Sequence, residues 1–216
     1  MIQTKTHKAR LFDLGRVPMD FARLVCTPLP LILRLRRVTP EGKAYQQKLQ
    51  GGAVVVANHT SFLDPFLVGV TFWYRRVFFL IAEIVMKGWL RSWLLRGIGG
   101  IKVERGIADI EAIKKSVAIL KEGRVLTVFP QGGIVQEDEV ESIKSGAILM
   151  AIQAGVPILP IHICPRAHWY CRRTVVIGQS IDPKALCTKK IPSTADIAAI
   201  TQRVMQEMNR CIPNHK

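Results

Sequence analysis

Gly51-Gly52-Ala53-Val54-Val55-Val56-Ala57-Asn58-His59-Thr60-Ser61-Phe62-Leu63-Asp64-Pro65 is the stretch from which the fold of this 216-residue chain can be read. Ala53 to Ala57 is a short, continuous apolar run rich in β-branched side chains, the pattern of a strand covered on both faces. The glycine pair marks where the strand begins. Asn58 and His59 mark where it stops, and Phe62 to Tyr74 then reads as a helix. A buried strand that passes directly into a helix is the opening unit of a parallel α/β sheet.

Working outward, the same alternation repeats. Val77 to Ala82 reads as a second buried strand and Glu83 to Arg96 as a helix, ended by Gly97, Gly99 and Gly100. Ile110, Ile113, Val117 and Leu120 recur at helical spacing opposite Glu111, Lys114 and Lys115, and Gly123 is placed to cap that helix. Val125 to Phe129, Ile158 to Ile163 and Val175 to Ile177 read as further strands, with a helix from Ser142 to Ala154 closed by Gly155. Ser193 or Thr194 can cap a last helix that carries Ile197, Ile200, Val204, Met205 and Met208 on one face. The fold class expected is α/β: a single domain, residues 51–216, with a mainly parallel central sheet flanked by helices.

Residues 1–50 read differently. From Ala9 to Val38, Leu, Phe, Val and Ile alternate with Arg10, Arg16, Arg23, Arg34, Arg36 and Arg37, broken by Pro18, Pro28 and Pro30. Two short amphipathic helices at a membrane interface fit this pattern, and so does a helical hairpin packed on the domain.

The chain carries 31 Lys and Arg against 16 Asp and Glu, a formal charge of +15, so its partner should be anionic. Anionic lipid and nucleic acid both satisfy that charge. The basic residues lie among Trp, Leu and Phe, and zinc-finger spacing, RRM-like aromatic segments and basic-leucine heptads are absent, so an anionic membrane surface is expected and no nucleic acid. No apolar run reaches the roughly 18 residues that a membrane-spanning helix needs, and the N-terminal residues lack the apolar core of an export signal. Five cysteines without a CxxC pair suggest a reducing compartment. Together these place the protein at the cytoplasmic face of a membrane, peripheral or monotopic.

The chemistry concentrates at Asn58 to Pro65. His59 and Asp64, five residues apart across a turn into a helix, can meet so that the carboxylate holds one ring nitrogen and leaves the other free as a base. The plainer reading is that Asp64 caps the helix and His59 belongs to the turn. Ser61 is read as structural, in a helix-capping role.

Three later segments bear on that choice: Gly99-Gly100-Ile101-Lys102-Val103-Glu104-Arg105, Phe129-Pro130-Gln131-Gly132-Gly133, and Val156-Pro157-Ile158-Leu159-Pro160. With Asn58 to Pro65 they resemble, in order, the four blocks of the glycerolipid acyltransferases typified by 1-acylglycerol-3-phosphate acyltransferase. The resemblance covers roughly residues 51–163. It implies that His59 deprotonates a lipid hydroxyl, which attacks an acyl-CoA or acyl-carrier-protein thioester, with Asp64 supporting His59 and no acyl-enzyme. It further implies substrate-binding roles for Asn58, Arg105, Phe129, Pro130, Gln131, Gly132 and Gly133. Neither a cofactor beyond the thioester co-substrate nor a metal is expected.

The third block departs from the family pattern, with Gln131, Gly133 and Ile134 standing where the family has Glu, Thr and Arg. A phosphate-seeking cation and a hydroxyl are thereby missing. Either the acceptor presents its phosphate to Arg105 and a Lys such as Lys144, or it lacks a glycerol-phosphate head. Lysophosphatidic acid is the default acceptor; another lysolipid, a glycolipid or a hydroxylated lipid is the rival, and an inactive relative of the same fold is a further alternative. Trp89 and Trp93, at i and i+4 among Lys87, Arg91 and Arg96, fit either a headgroup boundary or the core. His162, Cys164, His168 and Cys171 match no zinc spacing, and burial accounts for them better.

Overall fold

Strand β2 (Ala53–His59) lies in the middle of the sheet, and everything that positions the site is arranged around its C-terminal end. The computed structural model describes residues 20–21, 24, 28–32, 34–61, 63–104, 109–132, 137–165, 172–187 and 192–213; for 29, 131–132 and 137–145 the description is of the backbone. In chain order the remaining elements are α1 (Leu29–Ile32), β1 (Arg36–Val38), α2 (Asp64–Thr71), β3 (Val77–Ala82), α3 (Trp89–Gly97), β4 (Gly100–Val103), α4 (Ile110–Lys121), β5 (Val125–Gly132), α5 (Glu137–Ala154), β6 (Ile158–Ile163), β7 (Thr174–Ile177) and α6 (Thr194–Arg210).

The described strands form one sheet in the order β1-β7-β6-β2-β5-β3-β4. β6, β2, β5, β3 and β4 run parallel, while β7 is antiparallel to β6 and carries β1 parallel to itself. The expected α/β architecture with a mainly parallel sheet is therefore present. Ala53 to Ala57 are buried throughout, as a strand covered on both faces requires.

The side chains of β2 alternate between two cores. Val54 and Val56, with Leu126 and Val128 of β5, meet Leu120 of α4, Ile148 of α5 and Ile200 of α6. Val55 and Ala57, with Leu159 and Ile161 of β6, meet Leu67, Val68 and Phe72 of α2 and its continuation. The link from β2 to β3 thus passes over one face of the sheet and the link from β5 to β6 over the other. Where such links diverge, a crevice opens at the C-terminal ends of the strands. An eight-residue helix such as α2 does not hold itself together in water; Leu67, Val68 and Phe72, each contributing about 1.5–3 kcal/mol of burial, hold it on the sheet.

Two expectations are corrected. The helical reading that ran to Val38 stops short of it: Arg36, Arg37 and Val38 pair with Thr174, Val175 and Val176 as an edge strand, so the sheet reaches back into residues 1–50. The alternation of two Arg with one Val carried too little periodicity to show this. Residues 1–19, 22–23, 25–27 and 33, which include Arg10, Arg16 and Arg23 of the amphipathic segment, lie outside the described residues. The single helix expected over Glu83 to Arg96 is instead a 3-10 turn, Glu83–Met86, followed by a break and then α3. The break is Gly88, whose φ of 94° no helix accommodates.

Gly100 fixes where α3 packs. A Cβ there would stand 2.7 Å from both the Leu95 carbonyl oxygen and the Ile81 Cδ1. Gly100 pairs with Phe79, whose ring belongs to the α2-side core, so α3 crosses the sheet on the same side as α2.

Candidate active site

β2 delivers His59 to the end of the central strand. The alternation that turns Val55 and Ala57 toward α2 turns His59 the same way, beside the half-buried Phe129 ring of β5, with ring centroids 4.7 Å apart. After His59 the chain makes a tight turn, closed by Asp64 N–H donating to the Ser61 carbonyl at 2.9 Å. Pro65 follows in the first turn of α2, where its missing N–H costs nothing.

Asp64 organises this turn. One of its oxygens, Oδ2, accepts from Thr60 N–H at 2.6 Å, from Ser61 N–H at 2.7 Å and faces His59 Nδ1 at 3.0 Å. The Asp64 side chain is 2% exposed and that of His59 30%. A carboxylate can only accept, so Nδ1 carries the shared proton and Nε2 is left as the free nitrogen of the ring. The two peptide N–H groups hold the carboxylate in place and the carboxylate holds the imidazole. Asp64 bonds back to the turn rather than forward to the helix, so it is not serving as an ordinary helix cap.

Two neighbours complete the frame. The Asn58 side chain donates from Nδ2 to the Ile163 carbonyl at 3.0 Å and accepts the Ile163 N–H at 2.7 Å, both bonds buried. Its amide thereby imitates a strand residue and fastens the ends of β2 and β6 past their last backbone pair, Ala57 with Ile161. On the other flank, β5 contains one residue more than β2 between the pairs Val56–Val128 and Asn58–Gln131. Pro130, which has no N–H for the ladder, lies within this bulge, next to Phe129.

A family model for acyltransferases matches residues 37–164, which include the whole of this frame. The chain belongs to the acyltransferase family. A lyso-ornithine lipid O-acyltransferase of Pseudomonas aeruginosa is 31% identical over 147 residues, 67% of this chain and 52% of that protein. A 1-acyl-sn-glycerol-3-phosphate acyltransferase of Bacillus subtilis is 26% identical over 133 residues, 61% of this chain and 65% of the relative. The chloroplast enzyme of that name from Arabidopsis thaliana is 31% identical over 114 residues, 50% of this chain and 31% of its own length. The matches thus span between about a third and two thirds of these relatives. The crystal structure of the 1-acyl-sn-glycerophosphate acyltransferase PlsC from Thermotoga maritima shares the fold, with a TM-score of 0.54 and 20% identity over 92% of this chain and 81% of that one.

Of the residues singled out in the sequence, His59, Asp64, Phe129 and Pro130 come together in one place. Asn58 lies beside them, its amide bonded to the backbone of Ile163. Gln131 and Gly132 stand opposite Asn58 and His59 in the ladder through their backbone. Lys144 lies on α5, its side chain not described, and Arg105, Gly133 and Ile134 lie outside the described residues. Ser61 organises the turn rather than capping α2, its Oγ accepting from Leu63 N–H at 3.3 Å. Among the described residues no three His, Cys, Asp or Glu side chains gather as a metal site. Burial shifts His162 and Cys164 toward their neutral forms, lowering the pKa of one and raising that of the other; His168 and Cys171 lie outside the described residues.

The sequence reading missed the Thr60 and Ser61 peptide groups and Ile163. An Asp placed immediately before a Pro at a helix start is a signal for the first pair, because that carboxylate has bare N–H groups behind it. Nothing in the sequence signals Ile163, 105 residues away from Asn58.

Proposed function

We propose that the protein transfers a fatty acyl group from acyl-CoA or an acyl-carrier protein to the hydroxyl of 1-acylglycerol-3-phosphate, working as a peripheral enzyme at the cytoplasmic face of a membrane. The observation that carries this reading is the His59 Nδ1 to Asp64 Oδ2 contact at 3.0 Å, which leaves the other imidazole nitrogen without a hydrogen-bond partner among the described residues, at the end of the central strand. In this reading Nε2 takes the proton of the lipid hydroxyl as its oxygen attacks the thioester carbonyl. The Asp64 carboxylate stabilises the imidazolium that forms. When the C–S bond breaks, the imidazolium returns the proton to the thiolate, so the ester and a free thiol leave and His59 ends neutral. No acyl-enzyme forms, which leaves Ser61 to the turn.

The names of the Bacillus and Arabidopsis relatives support 1-acylglycerol-3-phosphate as acceptor. A second reading, a lysolipid acceptor of another kind, draws on two observations. Gln131, Gly133 and Ile134 replace the Glu, Thr and Arg of the family's third block, and the Pseudomonas relative is named for a lyso-ornithine lipid. Arg105, with Lys144 as a second cation, is the group offered to a phosphate in the first reading, a task suited to a guanidinium fork.

The test is acyl transfer from a labelled thioester, offered as both donors, to a panel of lysolipids with His59→Ala as the control. Ester formation on lysophosphatidic acid that disappears in the variant is the expected result. Transfer that needs His59 but spares lysophosphatidic acid moves the acceptor to the second reading. Transfer that persists in the variant overturns the mechanism.

A further inference from the structure

The two helical layers that cover the sheet have different outer surfaces. Helix α3 has nine residues, none of them buried. Trp89 is 82% and Trp93 65% exposed, with Leu90 and Leu94 beside them also open to solvent. On α1, which packs against α2, Leu31 is 83% exposed. On the far side of the sheet, the exposed residues of α4 and α6 include Glu111, Lys114, Lys115, Gln202, Arg203 and Gln206; Ile110, at the start of α4, is an apolar exception. Large exposed apolar side chains therefore gather on the α1–α3 side among the described residues, as a group rather than as the single scattered residues of an ordinary surface.

We propose that this side rests on an anionic bilayer, with α3 as the element that enters the lipid interface and holds the His59 turn at headgroup depth. Three observations choose a bilayer as the occupant. Exposed Lys87, Arg91 and Arg96 flank the Trp and Leu residues of α3, an arrangement in which indoles settle at the headgroup boundary and basic tips reach phosphates. The formal charge of +15 complements an anionic leaflet. His59 faces the same side as α2, with exposed Leu63 and Phe66 adjoining it, so a protein seated there would cover the turn while a bilayer would feed lipid to it. This last argument rests on the proposed acyl transfer to a lipid.

The test uses Trp emission in the full chain with Trp73→Phe and Trp169→Phe, which leaves Trp89 and Trp93 as reporters. Vesicles of phosphatidylglycerol with brominated acyl chains are expected to blue-shift and quench that emission. A companion chain that also carries Trp89→Phe, Trp93→Phe and Lys114→Trp places the reporter on α4 and should stay unquenched. Equal quenching of both chains, or vesicle binding with unquenched α3, overturns the proposal. So does an emission already blue-shifted without vesicles in a chain that sediments as a dimer, because the face is then covered by a second copy. In a parallel assay, Trp89→Ser with Trp93→Ser should raise KM for an acceptor presented in vesicles and leave kcat for a short-chain, dispersed acceptor unchanged. Quenching without any His59-dependent transfer would uphold the docking face and reject the enzymatic reading; transfer without quenching would do the reverse.

Discussion

The α4–α6 layer and the α1–α3 layer are built to the same sequence rule and end in opposite conditions. Helices of both carry apolar residues at helical spacing. In α4 and α6 those residues are inside: Leu120, Ile200, Val204 and Met208 are buried, and the helix starts are closed by side chains. Ser193 and Asp196 form a reciprocal capping box on α6, and Asp109 accepts the Ala112 N–H on α4 at 2.9 Å. In α3 the apolar residues face outward, and neither α2 nor α3 has a side-chain cap. The difference teaches that the α4–α6 layer turns its apolar residues into the core, whereas the other layer buries those of α2, leaves those of α3 exposed and carries the His59 turn.

Substitutions that separate rate from stability test this division. Asp64→Asn lies in the working layer. It keeps the size of the side chain and removes the charge that supports His59, so transfer should fall by about 10²–10⁴-fold, with a melting temperature close to wild type. A large drop in Tm with proportionate loss of activity would show that the turn is a stability element after all.

Ile200→Ala lies in the other layer, at a fully buried position. It should cost about 2–5 kcal/mol of folding free energy, read as a lower urea midpoint, and leave kcat at low temperature near wild type. Loss of kcat in protein that is still folded would join the two layers functionally.

The smallest effect concerns Asp109. The Ala112 N–H, more than any other contact, holds its carboxyl below the usual carboxylate range. A lowered folded-state pKa means that the stabilisation is fully present above the ordinary carboxylate value and is lost as the pH falls below it and through the lowered folded-state value. Asp109→Ala should therefore lower stability by about 1 kcal/mol near neutral pH and by less in acid. A penalty that stays constant down the pH range would assign the effect to helix propensity alone.

How far the sequence could be read depended on how local the deciding forces are. The strand from Ala53 and the helices from Ile110 and Thr194 were legible because burial of a contiguous stripe leaves a period in the sequence. Gly123 was legible as a cap, and its φ of 78° agrees. The segment Arg36–Val38 was not, since an edge strand of three residues is made by its partner β7 rather than by its own pattern. The end of β2 shows the same divide within two residues. His59 and Asp64 are five apart, and their meeting across a turn could be foreseen; the Asn58 amide and Ile163 find each other only once β6 has been laid beside β2.

Trp89 and Trp93 make the point most plainly. Aromatic residues four apart on a helix satisfy a core and an interface equally well, and no feature of the sequence separates the two. By itself the sequence determined the α/β alternation, the pairing of His59 with Asp64 and the excess of positive charge, because each follows from neighbours along the chain. That α3 lies on the α2 side with Trp89 and Trp93 exposed is seen only in the fold, where Gly100 leaves room for the Leu95 carbonyl against β4. That contact depends on how β4 aligns with β3, and such alignment exists only in the folded sheet.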